Sequence, residues 1–389
     1  MNAVTKPGKR LLSLDIMRGI TIAAMILVNN PGSWGNIYAP LCHASWNGLT
    51  PTDLVFPFFM FIMGVSAYLS LRKYDFRPTG ATLWKILRRT VVIFAIGIGV
   101  AWFGLFLRGI HSGAAVVDAA LNFDQIRILG VMPRLALCYG VASLVAVTLR
   151  HRWLPALIVL LLTVYAVLLV TSYGYEFSDR NIISVVDHRV LGEAHMYADT
   201  IDGVRLKFDP EGLLSTLPSI AHVLIGFWCG MLLTGTSDND KRVQYLFIVG
   251  TILTFAGFLL SYGLPINKKI WSPTFVLTTC GLAASLLALL MWIIDIRQCR
   301  RWCGFFEAFG VNPLFMYVLG AVLSLIIGTV SVPYADGMVS VKGWIYKALM
   351  MPLCGGDATL ASLAFALAFV GFNWIIGYIL YKKRIYIKI

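Results

Sequence analysis

The chain has 389 residues, of which 58% are hydrophobic and only 13% charged, against roughly a quarter charged in ordinary globular domains. That balance excludes a water-soluble enzyme with a conventional polar surface and makes the bilayer the expected solvent. The net charge of +13 does not point to nucleic acid, because the basic residues are spread over several loops.

Residues 1–11 form a short basic tail carrying Lys6, Lys9 and Arg10. Apolar segments follow near 12–30, 52–71, 89–107, 128–149, 153–173, 213–235, 243–264, 272–294, 306–330 and 359–381. Each approaches the ~20 residues a helix needs to cross the hydrocarbon core. The first runs on without a small-residue cleavage site, so it is expected to stay as an uncleaved anchor. A further apolar piece, 343–353, is too short to span and is expected to be interfacial or re-entrant. The fold class predicted is all-α: a polytopic transmembrane helix bundle of about ten spans plus that short segment, forming one integral-membrane domain over 1–389. Counted with the N-terminus inside, Lys and Arg favour the cytoplasmic loops by about two to one, as the positive-inside rule requires. Both termini are then cytoplasmic, and the loop after the first span faces outward. Lys268 and Lys269 are the main exceptions.

That outward loop gathers the polar chemistry. It reads Asn29-Asn30-Pro31, then His43-Ala-Ser-Trp46-Asn47-Gly-Leu-Thr50-Pro51-Thr-Asp53. A neutral imidazole accepts a proton near neutral pH, which suits His43 to act as general base or nucleophile. Each residue also has a plain structural reading. Thr50, Pro51 and Asp53 make a capping box with proline at the first helical position, and Trp34 and Trp46 suit interfacial anchors. The longest loop, 174–212, is expected outside as an extracytoplasmic insertion. Its acidic residues outnumber its basic ones two to one, which suits a cationic ligand or simply a solvated surface. Asp209-Pro210-Glu211-Gly212 reads as the cap and acidic first turn of the next helix. Within the spans, Arg18 is placed to pair with Asp15 along one helix face, Arg134 lies in the outer part of its span, and Asn312-Pro313 marks a break or kink. The seven cysteines show no zinc or redox spacing, and no metal is expected.

Asn29, His43 to Leu49, Asp53-Leu54 and Phe56-Pro57 resemble the signature of the heparan-α-glucosaminide N-acetyltransferase family, a group of transmembrane acyltransferases. Further blocks follow in order. They are Ser13 to Gly19, Arg127 to Tyr139, Leu191 to Tyr197, Asp209 to Gly212, Asn267-Lys-Lys-Ile-Trp-Ser272 and Gly310-Val-Asn-Pro313. The resemblance implies acetyl transfer from cytoplasmic acetyl-CoA, as co-substrate, to an amino sugar on the far side of a membrane. It implies His43 as catalytic histidine and Asn29 as its companion; Asp53 is the carboxylate expected to orient the imidazole, as one does in a triad. Arg134, Arg18, Trp46, Asn47, His195 and Asn312 are the candidates for substrate or CoA binding. The spacing from Asn29 to His43 is longer than in the animal enzyme, Pro133 stands where that enzyme has Gln, and its N-terminal luminal domain is not seen. We therefore expect a bacterial-type member in the inner membrane, with the bilayer as partner and a homodimer admitted. An O-acetyltransferase of a surface glycan and a polytopic transporter are the alternatives.

Overall fold

The computed structural model describes residues 11–335 and 337–387. Where water is absent every backbone N–H and C=O must be satisfied within the segment, so apolar runs of this length become helices. They are α1 (Leu12–Val28), α2 (Val55–Leu71), α3 (Gly80–His111), α4 (Val116–Leu121), α5 (Val131–Thr148), α6 (Leu154–Thr171) and α7 (Ile182–Leu191). A hairpin of β1 (Ala198–Ile201) and β2 (Val204–Lys207) separates these from α8 (Thr216–Thr234), α9 (Asn239–Leu260) and α10 (Pro273–Met291). Then come α11 (Cys303–Gly310), α12 (Pro313–Thr329) and a second hairpin of β3 (Ser331–Tyr334) and β4 (Gly337–Ser340). The chain finishes with α13 (Val341–Trp344), α14 (Met351–Leu353) and α15 (Ala358–Lys382).

Among the described residues, 8 helical stretches are long and apolar enough to cross a membrane, and α11 with α12 makes a ninth if that pair is one bent span. At 17 residues α1 sits at the lower limit of what spans ~30 Å of hydrocarbon. The ten apolar runs therefore correspond to ten helical units in an all-α polytopic bundle. The 343–353 piece folds as α13 and α14 joined by a π-helical stretch, Ile345–Met350, shorter than a span. The break expected at Asn312-Pro313 is an 82° bend between α11 and α12. Pro313 opens α12, where its missing N–H costs nothing.

Helix α1 is buried on nearly every side and packs against α2, α10, α11, α12 and α15. Leu14, Ile16, Met17 and Met25 join a core built with α2, α5, α8 and α10, whereas Ile22, Ala23 and Ile26 join a second core with α11, α12 and α15. One helix thus welds two halves. Its contact with α11 depends on two glycines. A Cβ on Gly19 would stand 1.9 Å from the Phe306 carbonyl oxygen, and one on Gly310 would stand 2.1 Å from that of Asp15. Small residues let membrane helices approach to backbone contact, where dispersion replaces the missing hydrophobic drive. By contrast α3, α6, α9 and α15 leave most of their apolar surface outward, as helices facing lipid must.

One expected helix start is displaced. Asp209 to Gly212 does not open the next helix, which begins at Thr216. The segment instead closes a turn, with Gly212 N–H donating to the Asp209 carbonyl at 3.0 Å. Its carboxylates are drawn away by Arg127 (described below), so they cannot serve the α8 terminus.

Candidate active site

The loop between α1 and α2 is closed by its own hydroxyls. Thr50 Oγ1 donates to the Cys42 carbonyl at 2.7 Å and Thr52 Oγ1 to that of Pro40 at 3.1 Å. Asp53, fully buried, then divides its carboxylate. Oδ2 accepts from the N–H groups of Ala44 and Thr50, both at 3.1 Å, and from Thr50 Oγ1 at 3.0 Å. Oδ1 lies 2.7 Å from His43 Nδ1. The capping box and the histidine partnership are both present, on different oxygens of one side chain. His43 remains 47% exposed. At that exposure an ion pair contributes only about 0–1 kcal/mol, so the contact orients the ring more than it stabilises the fold. With Nδ1–H donating to Asp53, Nε2 is left as an acceptor at the surface.

A third group completes the cluster. Lys268 Nζ stands 2.9 Å from His43 Nδ1, 3.3 Å from Nε2 and 3.4 Å from Asp53 Oδ1. The loop carrying it, between α9 and α10, is pinned from several sides. Asn267 N–H donates to Ser272 Oγ at 3.0 Å, Asn267 Oδ1 accepts from Ile270 N–H at 3.2 Å, and Asn267 Nδ2 donates to Asn47 Oδ1 at 3.1 Å. Gly48 N–H donates to the Ile266 carbonyl at 2.8 Å, which joins this loop to the histidine loop. Trp271 is buried in the left-handed region, at φ 53°. A bulky residue there costs on the order of 1–3 kcal/mol, and such strain persists where surrounding contacts over-determine it. Burial lowers the Lys268 pKa from that of a free lysine, against the opposing pull of Asp53 and Glu211.

Beside this cluster lies a second one. Arg127 Nε donates to Asp209 Oδ2 at 2.9 Å, and Nη2 donates to both Asp209 Oδ1 and Glu211 Oε2. Burial alone would raise the Glu211 carboxyl, but Arg127 and Arg134 hold it below the usual range, and Lys268 adds to that. Glu211 is thus the electrostatic link between the two clusters. Arg127 also borders an open-mouthed cavity of about 420 Å³ between α1, α3, α5 and α12, whose polar lining includes Asn29, Arg108, Gln125, Tyr317 and Ser324.

The remaining sequence candidates fall in different places. Asn29 caps the end of α1 and lines the cavity; among the described residues it makes no hydrogen bond to His43. Arg134 is completely buried, donating to the Gly212 carbonyl at 3.1 Å and to Ser215 Oγ, with its guanidinium 5.2 Å from the Trp271 ring. Trp46 donates to the Tyr175 carbonyl at 2.8 Å and packs edgewise on Phe208, so it anchors the loop. Asn47 serves the lysine loop. His195 Nδ1 lies 2.8 Å from the Ile126 carbonyl and steadies the segment that carries Arg127. Arg18 pairs with Asp15 at 2.7 Å, as expected, and reaches Ser66 on α2 at 2.7 Å. Asn312 holds the Ile385 carbonyl and the Ile387 N–H, both at 2.8 Å. Arg18 and Asn312 are not brought to the histidine. Lys268, Arg127 and Glu211 were not singled out as site residues. The usable signal for Lys268 was its expected place outside, against the charge bias, within one of the resemblance blocks. Among the described residues no group of three His, Cys, Asp or Glu side chains is arranged to hold a metal.

A polytopic helix bundle whose loops at one end gather a polar cluster around one histidine defines the chain as an integral membrane protein. The chain is similar to the heparan-alpha-glucosaminide N-acetyltransferase of Mus musculus, 27% identical over 364 residues covering 80% of this chain, and to that of Homo sapiens, 28% identical over 369 residues covering 79%. Both relatives bear out the family resemblance carried by the sequence motifs. The chain spans about half the length of these relatives, 53% and 52%. No protein-family model matches it.

Proposed function

We propose that the protein is a membrane-bound acetyltransferase, moving acetyl from cytoplasmic acetyl-CoA to an amino sugar on the extracytoplasmic side of a bacterial inner membrane. The observation that carries this reading is the oriented His43–Asp53 pair in a chain similar to N-acetyltransferases over most of its length. Asp53 fixes the tautomer and stabilises imidazolium, as a carboxylate does in a triad. Nε2 takes the proton of the attacking amine while its nitrogen adds to the thioester carbonyl; collapse then breaks the C–S bond and releases the thiolate. The cavity bordered by Asn29 and Arg127 is the space we assign to the acyl-carrying arm of the donor, with the Asn29 amide as a donor toward the carbonyl oxygen. An acidic outer loop favours a cationic acceptor.

The test is acetyl transfer by the purified protein in proteoliposomes, with acetyl-CoA and glucosamine. Free CoA and N-acetylglucosamine are expected to appear together, and His43→Ala should lower the rate by at least ~10²-fold. Absence of transfer, or a His43→Ala variant keeping more than about a tenth of the rate, would overturn the reading. Product on a hydroxyl instead of an amine would keep the acyl chemistry and change the acceptor.

A further inference from the structure

His43 and Asp53 supply a base and its orienting partner, but nothing in that pair neutralises charge on an acetyl carbonyl during addition. Lys268 stands where such a charge would form. Its ammonium has three donors; it faces Asp53 Oδ1 at 3.4 Å and the edge of the His43 ring, 2.9 Å from Nδ1 and 3.3 Å from Nε2, which leaves an N–H for an oxygen bound beside Nε2. When His43 itself is the nucleophile the carbonyl carbon bonds to Nε2, which brings its oxygen into hydrogen-bonding reach of an ammonium 3.3 Å from that nitrogen. An amine deprotonated by His43 holds the carbonyl one bond farther out, still on the Lys268 side of the ring. The placement is deliberate in physical terms. A left-handed Trp271 and four hydrogen bonds around Asn267 and Gly48 fix the loop against the histidine loop. Burial lowers the pKa of the amine, and Asp53 and Glu211 oppose that shift by favouring its charged form.

We propose that Lys268 is a further catalytic residue, whose ammonium binds the oxyanion formed when the acetyl carbonyl is attacked beside His43 Nε2. This rests on the acetyl-transfer reading above, so the test uses an acetyl source independent of it. p-Nitrophenyl acetate acylates imidazole: Nε2 bonds to the carbonyl carbon, the C=O electron pair moves onto oxygen, and collapse expels p-nitrophenolate while the Nδ1 proton passes to solvent. Modification of His43 is followed by mass spectrometry of the purified full chain, with His43→Ala as background. The pH–rate profile is recorded so that limiting rates are compared rather than fractions of neutral imidazole.

Lys268→Met should lower the limiting rate at least about tenfold, the scale on which loss of an oxyanion donor is felt, and Lys268→Arg should restore part of it. Melting temperatures separate chemistry from folding. A loss in the Met variant at unchanged melting temperature, or one that Arg repairs, supports the assignment. A change below twofold overturns it, as does a loss that accompanies a lowered melting temperature and is not repaired by Arg. Failure of the wild type to acetylate His43 also overturns it. Loss of acetyl-CoA transfer with the ester reaction intact overturns only the donor assignment.

Discussion

The two oxygens of Asp53 can be separated by substitution. Asn keeps an oxygen for the Thr50 and Ala44 N–H groups but presents no charge to His43. Asp53→Asn is therefore expected to lower acetyl transfer by at least ~10-fold, with the melting temperature nearly unchanged, whereas Asp53→Ala also loses the cap, worth about 0.5–2 kcal/mol. Parallel turnover and thermal-unfolding measurements decide it: full activity in the Asn variant would leave Asp53 a cap alone. Both halves of the double role were expected from the sequence, the cap on spacing and the histidine contact on chemistry, but only the cap is local. Thr50-Pro51-Thr52-Asp53 displays a capping box on spacing, because a cap is a local arrangement. That Oδ1 also meets a histidine ten residues back depends on how Cys42 and Pro40 fold onto Thr50 and Thr52, which no periodicity encodes. Lys268, 225 residues from His43, could be marked only as a charge on the wrong side.

Among the elements, the ten apolar runs were readable because length and hydropathy suffice in a bilayer, but the fold of the 174–212 loop was not. Helix α7 docks through Asp187, whose Oδ1 accepts from Leu213 N–H at 2.8 Å, and through Ser184, whose hydroxyl donates to the Lys207 carbonyl at 3.0 Å. Burial pushes the Asp187 carboxyl up from 3.8 to about 6, with Asp209 adding to the rise and Leu213 N–H opposing it. A folded-state pKa above the unfolded value means the native form holds a proton that the unfolded form has lost. This contribution to stability is therefore fully present below about 4, falls as pH rises to about 6, and is flat beyond. Asp187→Asn should remove that slope and gain roughly 2–3 kcal/mol above it. Melting curves of both proteins across the range check the sign; a wild type gaining on the variant between those values would contradict it. At the α11–α12 bend, Asn312→Ala removes two hydrogen bonds to the C-terminal segment and is expected to cost about 1–3 kcal/mol. It should leave KM unchanged, because the residue does not reach the histidine cluster.

For the whole molecule the expectation concerns sidedness. The histidine loop should face outward and the α2–α3 loop inward, given the distribution of Lys and Arg. Gly35 and Gly80 both have room for a side chain, with nothing nearer than 3.9 Å to a Cβ on Gly35 and nothing within 4 Å at Gly80. Single cysteines there, in a variant lacking the accessible Cys42, Cys299 and Cys354, should label from opposite sides of intact membranes. Labelling of both from one side would end the cross-membrane assignment.

The glycine contact between α1 and α11 also sets a timetable for synthesis. At about 5–20 residues per second, the roughly 290 residues separating Gly19 from Gly310 take on the order of 15–60 s to emerge from the ribosome. Throughout that interval the first helix waits in the bilayer with a small-residue groove unfilled and its Asp15–Arg18 pair still short of its final neighbours. Nascent chains halted before Cys303 should accordingly be recognised as orphans by membrane quality control. Chains long enough for α11, α12 and α15 to have reached the bilayer, and so to cover both faces of α1, should escape it.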